Sequence, residues 1–306
     1  MQRSVPVASC EAEVQSMFNR IPAWVWLLSP ALLFVLAMAV FPLGYSFVLS
    51  LREWKLARMD EPGNWVGLQN YLLLLTDDPE FMDSVKATAV FLGWDVLMTL
   101  LLALGAALLL KRQGRVYSLA RVLLILPFVM SPAVIGISFR FFLNAEYGIA
   151  QYLLGLLIPT LQGKVWLSDA KLAMASVVAS DVWHWAPYMT LMILGGLASV
   201  PRETEEAARV DGAGPVRVFF DVTLPQIWPV LGVAAILKSV FALKAFDTIF
   251  TLSNGGPGTS TQTLAYYVYN TAFGYYDMGY AAAAAYILTA ALLTIAMFYL
   301  RLVIRK

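Results

Sequence analysis

Charge is scarce in this sequence. Only 13% of its 306 residues are Asp, Glu, Lys or Arg, while 60% are hydrophobic. A soluble domain sits near half apolar and a quarter charged, so this balance excludes one and points to an integral membrane protein. The formal net charge of +1 provides no general electrostatic attraction for nucleic acid. One cysteine, Cys10, excludes an internal disulfide and any metal site built from cysteines. One histidine, His184, and the lack of clustered carboxylates leave little catalytic equipment, and no metal site is expected. A phosphate loop of the G-x4-G-K-[ST] type is also missing: Gly163-Lys164 is followed by Val165 and has no upstream glycine.

What the chain has instead is long apolar runs. A bilayer core needs about 20 apolar residues per helix. Six stretches qualify, at roughly 24–50, 84–110, 117–142, 171–198, 226–246 and 279–302. Gly and Pro inside them are tolerable in membrane helices. Lys and Arg in the connections set the expected orientation. The first tail (Arg3, Arg20), the 111–121 loop (Lys111, Arg112, Arg115, Arg121), the 202–217 loop (Arg202, Arg209, Arg217) and the C-terminus (Arg301, Arg305, Lys306) carry most of them. The other side has Arg52, Lys55, Arg58 and Lys164. Both termini are therefore expected in the cytoplasm, with residues 1–22 as a polar tail and 23–306 as one six-span domain. Between spans one and two, Asp78 before Pro79 is an N-cap signal. "LSNGGPGTSTQT" after span five is made of turn residues.

The segment 199–225 does not match its apolar surroundings. Pro201 and the acidic Glu203, Glu205 and Glu206 suit a helix start, Ala207 and Ala208 favour the helix, and Gly212 suits its end. Gly214-Pro215 restarts the chain, and Pro225 opens the next span. The pattern predicts two short helices at an angle, facing the cytoplasm.

Glu206-Ala207-Ala208, three residues, Gly212, nine residues, then Val222-Thr223-Leu224-Pro225 resembles the EAA motif of permease subunits in binding-protein-dependent ABC importers, with Val in place of the usual Ile. Asp211-Gly212-Ala213 matches the usual D-G-A. "LPFVMSPAVIGISFRFFLNAEYGIAQYLL", "VWHWAPYMTLMILGGLASVP" and "FDTIFTLSNGGPGTSTQTLAYYVYNTAF" are similar to the MalF/UgpA-like half of carbohydrate importers. The resemblance covers the chain from about residue 24 onward. It implies an all-α, six-span permease of the type I importer (MetI-like) fold with a cytoplasmic coupling helix. In that family the loop docks on an ATPase, which implies coupling roles for Glu205, Glu206, Ala207, Ala208, Asp211, Gly212, Leu224 and Pro225. It also implies a second, MalG/UgpE-like permease subunit, two copies of an ABC ATPase that bind the ATP and Mg, and a periplasmic or lipid-anchored solute-binding protein. This chain would hold no cofactor and sit, multi-pass, in a bacterial cytoplasmic membrane. The solute would be a sugar or sugar-like molecule.

Sugar sites combine aromatic faces with converging polar groups. In span four Asp181, His184, Trp185 and Tyr188 fall on one helical face, and span five adds Phe241, Lys244 and Asp247. The resemblance places substrate contacts in these two segments. Asp181 could instead pair with Lys244, and Asp247 could cap span five. An unpaired Lys244 and His184 would favour an anionic solute. Asn254, Gly255, Gly256 and Pro257 form a tight turn that, in relatives, approaches the docked binding protein. A self-contained secondary transporter or channel is the alternative reading. It would need ion-binding carboxylates near the midplane, where this chain has Asp95 and Asp181.

Overall fold

The computed structural model describes residues 22–56, 63–149, 152–153, 156 and 163–304. The expected polar tail at 1–22, Pro22 apart, lies outside the described residues, as do Cys10, Arg58, Arg305 and Lys306. The described chain is helical, with only isolated backbone bridges, Arg52 to Trp65 and Lys55 to Asp277, in place of strands. Helices α1 (Trp24–Ser50), α3 (Pro79–Leu110), α8 (Pro215–Leu243) and α11 (Met278–Ile304) are long and apolar enough to cross a membrane, and a short α2 (Gln69–Thr76) stands between the first two. Helix α6 (Ala170–Ala198) has the length, at 29 residues, but is less apolar. Its polar residues Ser176, Ser180, Asp181, His184 and Thr190 are buried against the rest of the protein.

The expected start signal at Asp78 acts as predicted. Asp78 caps α3, accepting from the Phe81 amide at 2.8 Å, with Pro79 in the first turn. The same carboxylate accepts the Tyr267 hydroxyl at 2.5 Å and the Tyr280 hydroxyl at 3.1 Å, joining the starts of α3 and α11. Asp169 caps α6 through the Lys171 and Leu172 amides at 2.9 and 3.0 Å. The Leu172 bond in particular holds its carboxyl below the ordinary range.

Two expected elements differ. The run 117–142 is not one continuous span: α4 (Arg115–Val129) and α5 (Pro132–Phe142) meet at 93°. Pro132 has no amide hydrogen, and its ring drives Ser131 into extended backbone, φ −64° and ψ 137°, which ends the helix. The second arm of the 199–225 insert is likewise not a separate short helix. It is continuous with span five as α8, which passes Phe219–Thr223 in a π turn just before Pro225. The Leu224 amide closes this turn on the Phe219 carbonyl, and Pro225 after it has no amide hydrogen to donate.

The segment 247–278, which holds the expected turn residues, folds back as α9 (Asp247–Leu252), a tight turn and α10 (Leu264–Tyr269). Close approach fixes α9 on α5: a Cβ on Gly136 would lie 1.9 Å from the Thr251 hydroxyl. By contrast α1 keeps most of its large side chains exposed. It touches α11 through Phe47 and Tyr286, rings 5.3 Å apart, and through the Tyr286 hydroxyl on the Leu43 carbonyl at 2.5 Å.

The core has two apolar layers shared by α3, α6 and α8. One gathers Phe91, Val177, Val178, Val182 and Ala242. The other gathers Ala103, Ala107, Met189, Ile193, Leu197, Ile227 and Ala234. Between them lies a charged level. The Lys238 ammonium ion-pairs with both Asp95 and Asp181 and hydrogen-bonds Asp181, with side chains 0%, 0% and 5% exposed. Removing the cation would leave two buried carboxylates facing one another. Lys238→Met should therefore destabilise the fold by about 3–5 kcal/mol, and Asp95→Asn by clearly less. Thermal unfolding in detergent checks this, and equal melting of Lys238→Met and wild type would refute it.

Candidate functional site

The insert begins with α7 (Arg202–Val210), whose end explains the glycine of the motif. Gly212 has φ +85°; its amide bonds the Arg209 carbonyl at 3.0 Å, and the Ala213 amide bonds the Ala208 carbonyl at 2.9 Å. This is a Schellman closure, which requires a left-handed residue at that position. The chain then re-enters a helix at Pro215. Gly196 lets α6 and α8 approach closely above the loop, since a Cβ there would sit 2.9 Å from Val230.

The loop has two faces. Glu206, Ala207, Arg209, Asp211, Gly212 and Pro225 are exposed, beside a bare apolar strip of Val210, Val216 and Phe220 at 87%, 69% and 58% exposure. Glu205 turns the other way. Its Oε1 accepts from Lys111 Nζ at 2.6 Å and Thr223 Oγ1 at 3.1 Å. Partial burial pushes its carboxyl up, but the Lys111 and Thr223 bonds and the Lys111 charge outweigh that and hold it below the ordinary range. Ala208 and Leu224 are partly covered, Leu224 against the lower core layer.

A second cluster stands beside the charged level. Trp185 stacks on Phe241 with ring centres 4.1 Å apart, and Lys238 Nζ lies 5.6 Å from the Trp185 ring. Phe128 stacks on Tyr188 at 4.9 Å and meets Trp185 edge-on at 5.4 Å. His184 Nδ1 hydrogen-bonds the Pro127 carbonyl at 3.1 Å. The rings form an aromatic wall shared by α4, α6 and α8. Among the described residues no group of three His, Cys, Asp or Glu could hold a metal ion.

Residues 99–306 match the model of the family described as "Binding-protein-dependent transport system inner membrane component". This chain belongs to that family. The permease is 33% identical over 282 residues to the sulfoquinovosyl glycerol transport system permease protein SmoG of Agrobacterium fabrum, covering 92% of this chain and 90% of that one. It is also 33% identical over 250 residues to the trehalose/maltose transport system permease protein MalF of Thermococcus litoralis, covering 82% of each. A solved bacterial ABC transporter involved in the import of the acidic polysaccharide alginate shares the fold, with TM-score 0.76 and 20% identity over 96% of this chain and 99% of that one.

The permease brings together four of the sequence-derived path residues, His184, Trp185, Tyr188 and Phe241. Asp181 belongs to the charged level below them, paired with Lys238 and not with Lys244. Lys244 follows the last residue of α8 and is exposed; Asp247 is the first residue of α9, also exposed, and so does not cap span five, but stands in the first turn of α9, whose N-cap is Phe246. Phe128 and Pro127 were not among the expected residues. Their signal was the paired prolines of "LPFVMSP", which break span three beside span four. In the 254–257 turn Asn254 is exposed and accepts from the Tyr266 hydroxyl at 3.2 Å. Gly255 is buried with φ +79°, where a Cβ would lie 2.8 Å from the Tyr266 ring, and Gly256 and Pro257 are half-covered.

The Schellman closure can be tested against its neighbour. Gly212→Ala forces a side chain into the left-handed region and should loosen α7 by about 1–2 kcal/mol. Gly214→Ala, at φ −71° with nothing within 4 Å of a new Cβ, should be silent. Hydrogen exchange across 202–213 separates the two, and equal protection in both variants would contradict the assignment.

Proposed function

We propose that this permease is one half of the membrane channel of an ATP-driven importer for a sugar or sugar-like solute. It carries out no catalysis of its own. A second, MalG/UgpE-like permease subunit completes the channel, two ABC ATPase subunits bind the ATP and Mg, and an external solute-binding protein delivers the cargo. Lys and Arg distribution supports a cytoplasmic position for both termini and the 199–225 loop. The observation that carries the reading is the loop itself: a rigidly closed helix at the end of two closely packed spans, with an exposed apolar strip edged by Glu206, Arg209 and Asp211. Such a lever can seat in a cleft of a motor subunit and tilt α6 and α8 together.

Carbohydrate cargo is supported by the named transport of SmoG and MalF and by the Trp185–Phe241 and Phe128–Tyr188 stacks, ring faces of the kind that hold sugars. Asn254, Gly256 and Pro257, on the opposite end from the lever, are the proposed contacts for the binding protein.

Co-purification from cells expressing the tagged chain with its genomic neighbours tests the lever. Wild type should bring down an ATPase and Glu206→Arg should lose or uncouple it, since Glu206 is exposed and its replacement leaves the fold intact. If no ATPase accompanies either form and liposomes with this chain alone move solute, the chain is a self-contained transporter.

The cargo's charge has its own test. The Lys244 ammonium is exposed three residues beyond Phe241 and has no ion-pair partner among the described residues. An acidic sugar should therefore lose about fivefold in uptake with Lys244→Gln, from the ~1 kcal/mol of a unit-charge contact in water. Uptake of neutral sugars only, unchanged by the substitution, would remove the anionic preference.

A further inference from the structure

Glu205 and Glu206 are adjacent, yet only Glu206 faces out. Glu205 is held by Lys111, 94 residues away, and by Thr223, itself buried. Two long charged side chains at a solvent-facing end lose entropy on pairing, and a freely exposed pair is worth little. This pair is not freely exposed: the Glu205 side chain is 14% exposed, and one oxygen takes both donors. Among the described residues, the Lys111 bond is the side-chain hydrogen bond that joins α7 to a helix outside its own hairpin with α8.

Lys111 is the residue at which α3 ends. Sixteen residues earlier on the same unbroken helix is Asp95, a span of ~24 Å at the α-helical rise. Asp95 meets Lys238 of α8 in the charged level, and Lys238 lies over Trp185. The helix α3 is thus fastened to the coupling hairpin at its lower end and to the aromatic wall's supporting charges at its middle. A rod tied at both points moves both when either moves.

We propose that Glu205 is not a contact to the ATPase but a linkage residue, which through Lys111 carries movement of the coupling helix α7 into α3 and so to the Asp95–Lys238–Asp181 level beside Trp185. The inference rests on the importer reading above, and it gives the first glutamate of the loop a different role from the second. The ammonium–carboxylate pair supplies directional coupling: α7 cannot shift along α3 without dragging the end of α3 or breaking the bond.

The test uses the whole transporter, purified with its co-expressed partners and placed in liposomes, and needs no identified solute. In a Cys10→Ser background, Phe241→Cys reports on the aromatic wall through its rate of labelling by N-ethylmaleimide, with and without ATP and vanadate. The parent should show a nucleotide-dependent rate change of about fivefold or more, the size of an ordinary coupling between sites. Lys111→Met should retain the ATPase and hydrolyse ATP within about twofold of the parent, while its nucleotide-dependent change in labelling falls to near unity. Glu205→Gln should lose the response to the same extent, the double variant should lose no more, and the exchanged pair Lys111→Glu with Glu205→Lys should recover it. A merely structural pair would lower melting and hydrolysis together and leave the ratio of response to hydrolysis unchanged. An equal response in Lys111→Met and the parent, loss of the ATPase from Lys111→Met, an exchanged pair that stays unresponsive, or a hydrolysing parent with no change at position 241 each overturns the linkage. A parent that carries no ATPase at all overturns the importer reading instead.

Discussion

Two carboxylates and one ammonium, buried at the middle of three long helices, set the terms for the rest of this structure. Taken out of water, each ion costs several kcal/mol unless a partner of opposite charge is held in good geometry. Lys238 can meet Asp95 and Asp181 together only if α3, α6 and α8 converge at one level with those faces inward. Once they converge, the small and aliphatic residues one or two turns away on each helix fall into the two apolar layers above and below. Apolar packing supplies most of the buried area, but it would tolerate sliding or rotation of one helix against another. The charged level does not, because any shift in register strands a charge.

That constraint also supports the aromatic wall. Trp185 follows Asp181 by one helical turn and Phe241 follows Lys238 by three residues, so pairing the ions places their rings together at 4.1 Å. The wall is completed from an unexpected direction. The break between α4 and α5 ends a helix inside the membrane-spanning region, where free carbonyls are costly. The Pro127 carbonyl there takes the Met130 amide at 3.2 Å and His184 as a second partner, and Phe128 beside it packs on Tyr188. The single histidine of the chain thus turns one ring nitrogen to a backbone acceptor near a proline break.

The two ends of the molecule are held by different means. At one end Asp78 caps α3 and accepts two tyrosine hydroxyls, binding α3, α10 and α11. At the other, Glu205 ties the loop to α3 with a single ammonium. The first is a set of three hydrogen bonds converging on one carboxylate. The second is one ionic contact between a partly exposed lysine and a largely covered glutamate.

Sequence alone was enough to establish a helical membrane protein, the approximate limits of five long helices, the cap at Asp78, and the helix of the 199–225 insert with its terminating glycine. These depend on runs of apolar residues, hydrogen bonds over two to four positions and backbone angles that one residue type prefers, all written locally along the chain. Its family was also legible, in the spacing from Glu206 to Pro225. The tertiary structure alone decided that Lys238 and not Lys244 answers Asp181, and that Glu205 faces inward while Glu206 faces out. Those outcomes depend on which distant side chains come within 3 Å of one another, and a contact across 57 or 94 residues leaves no period or motif in either segment.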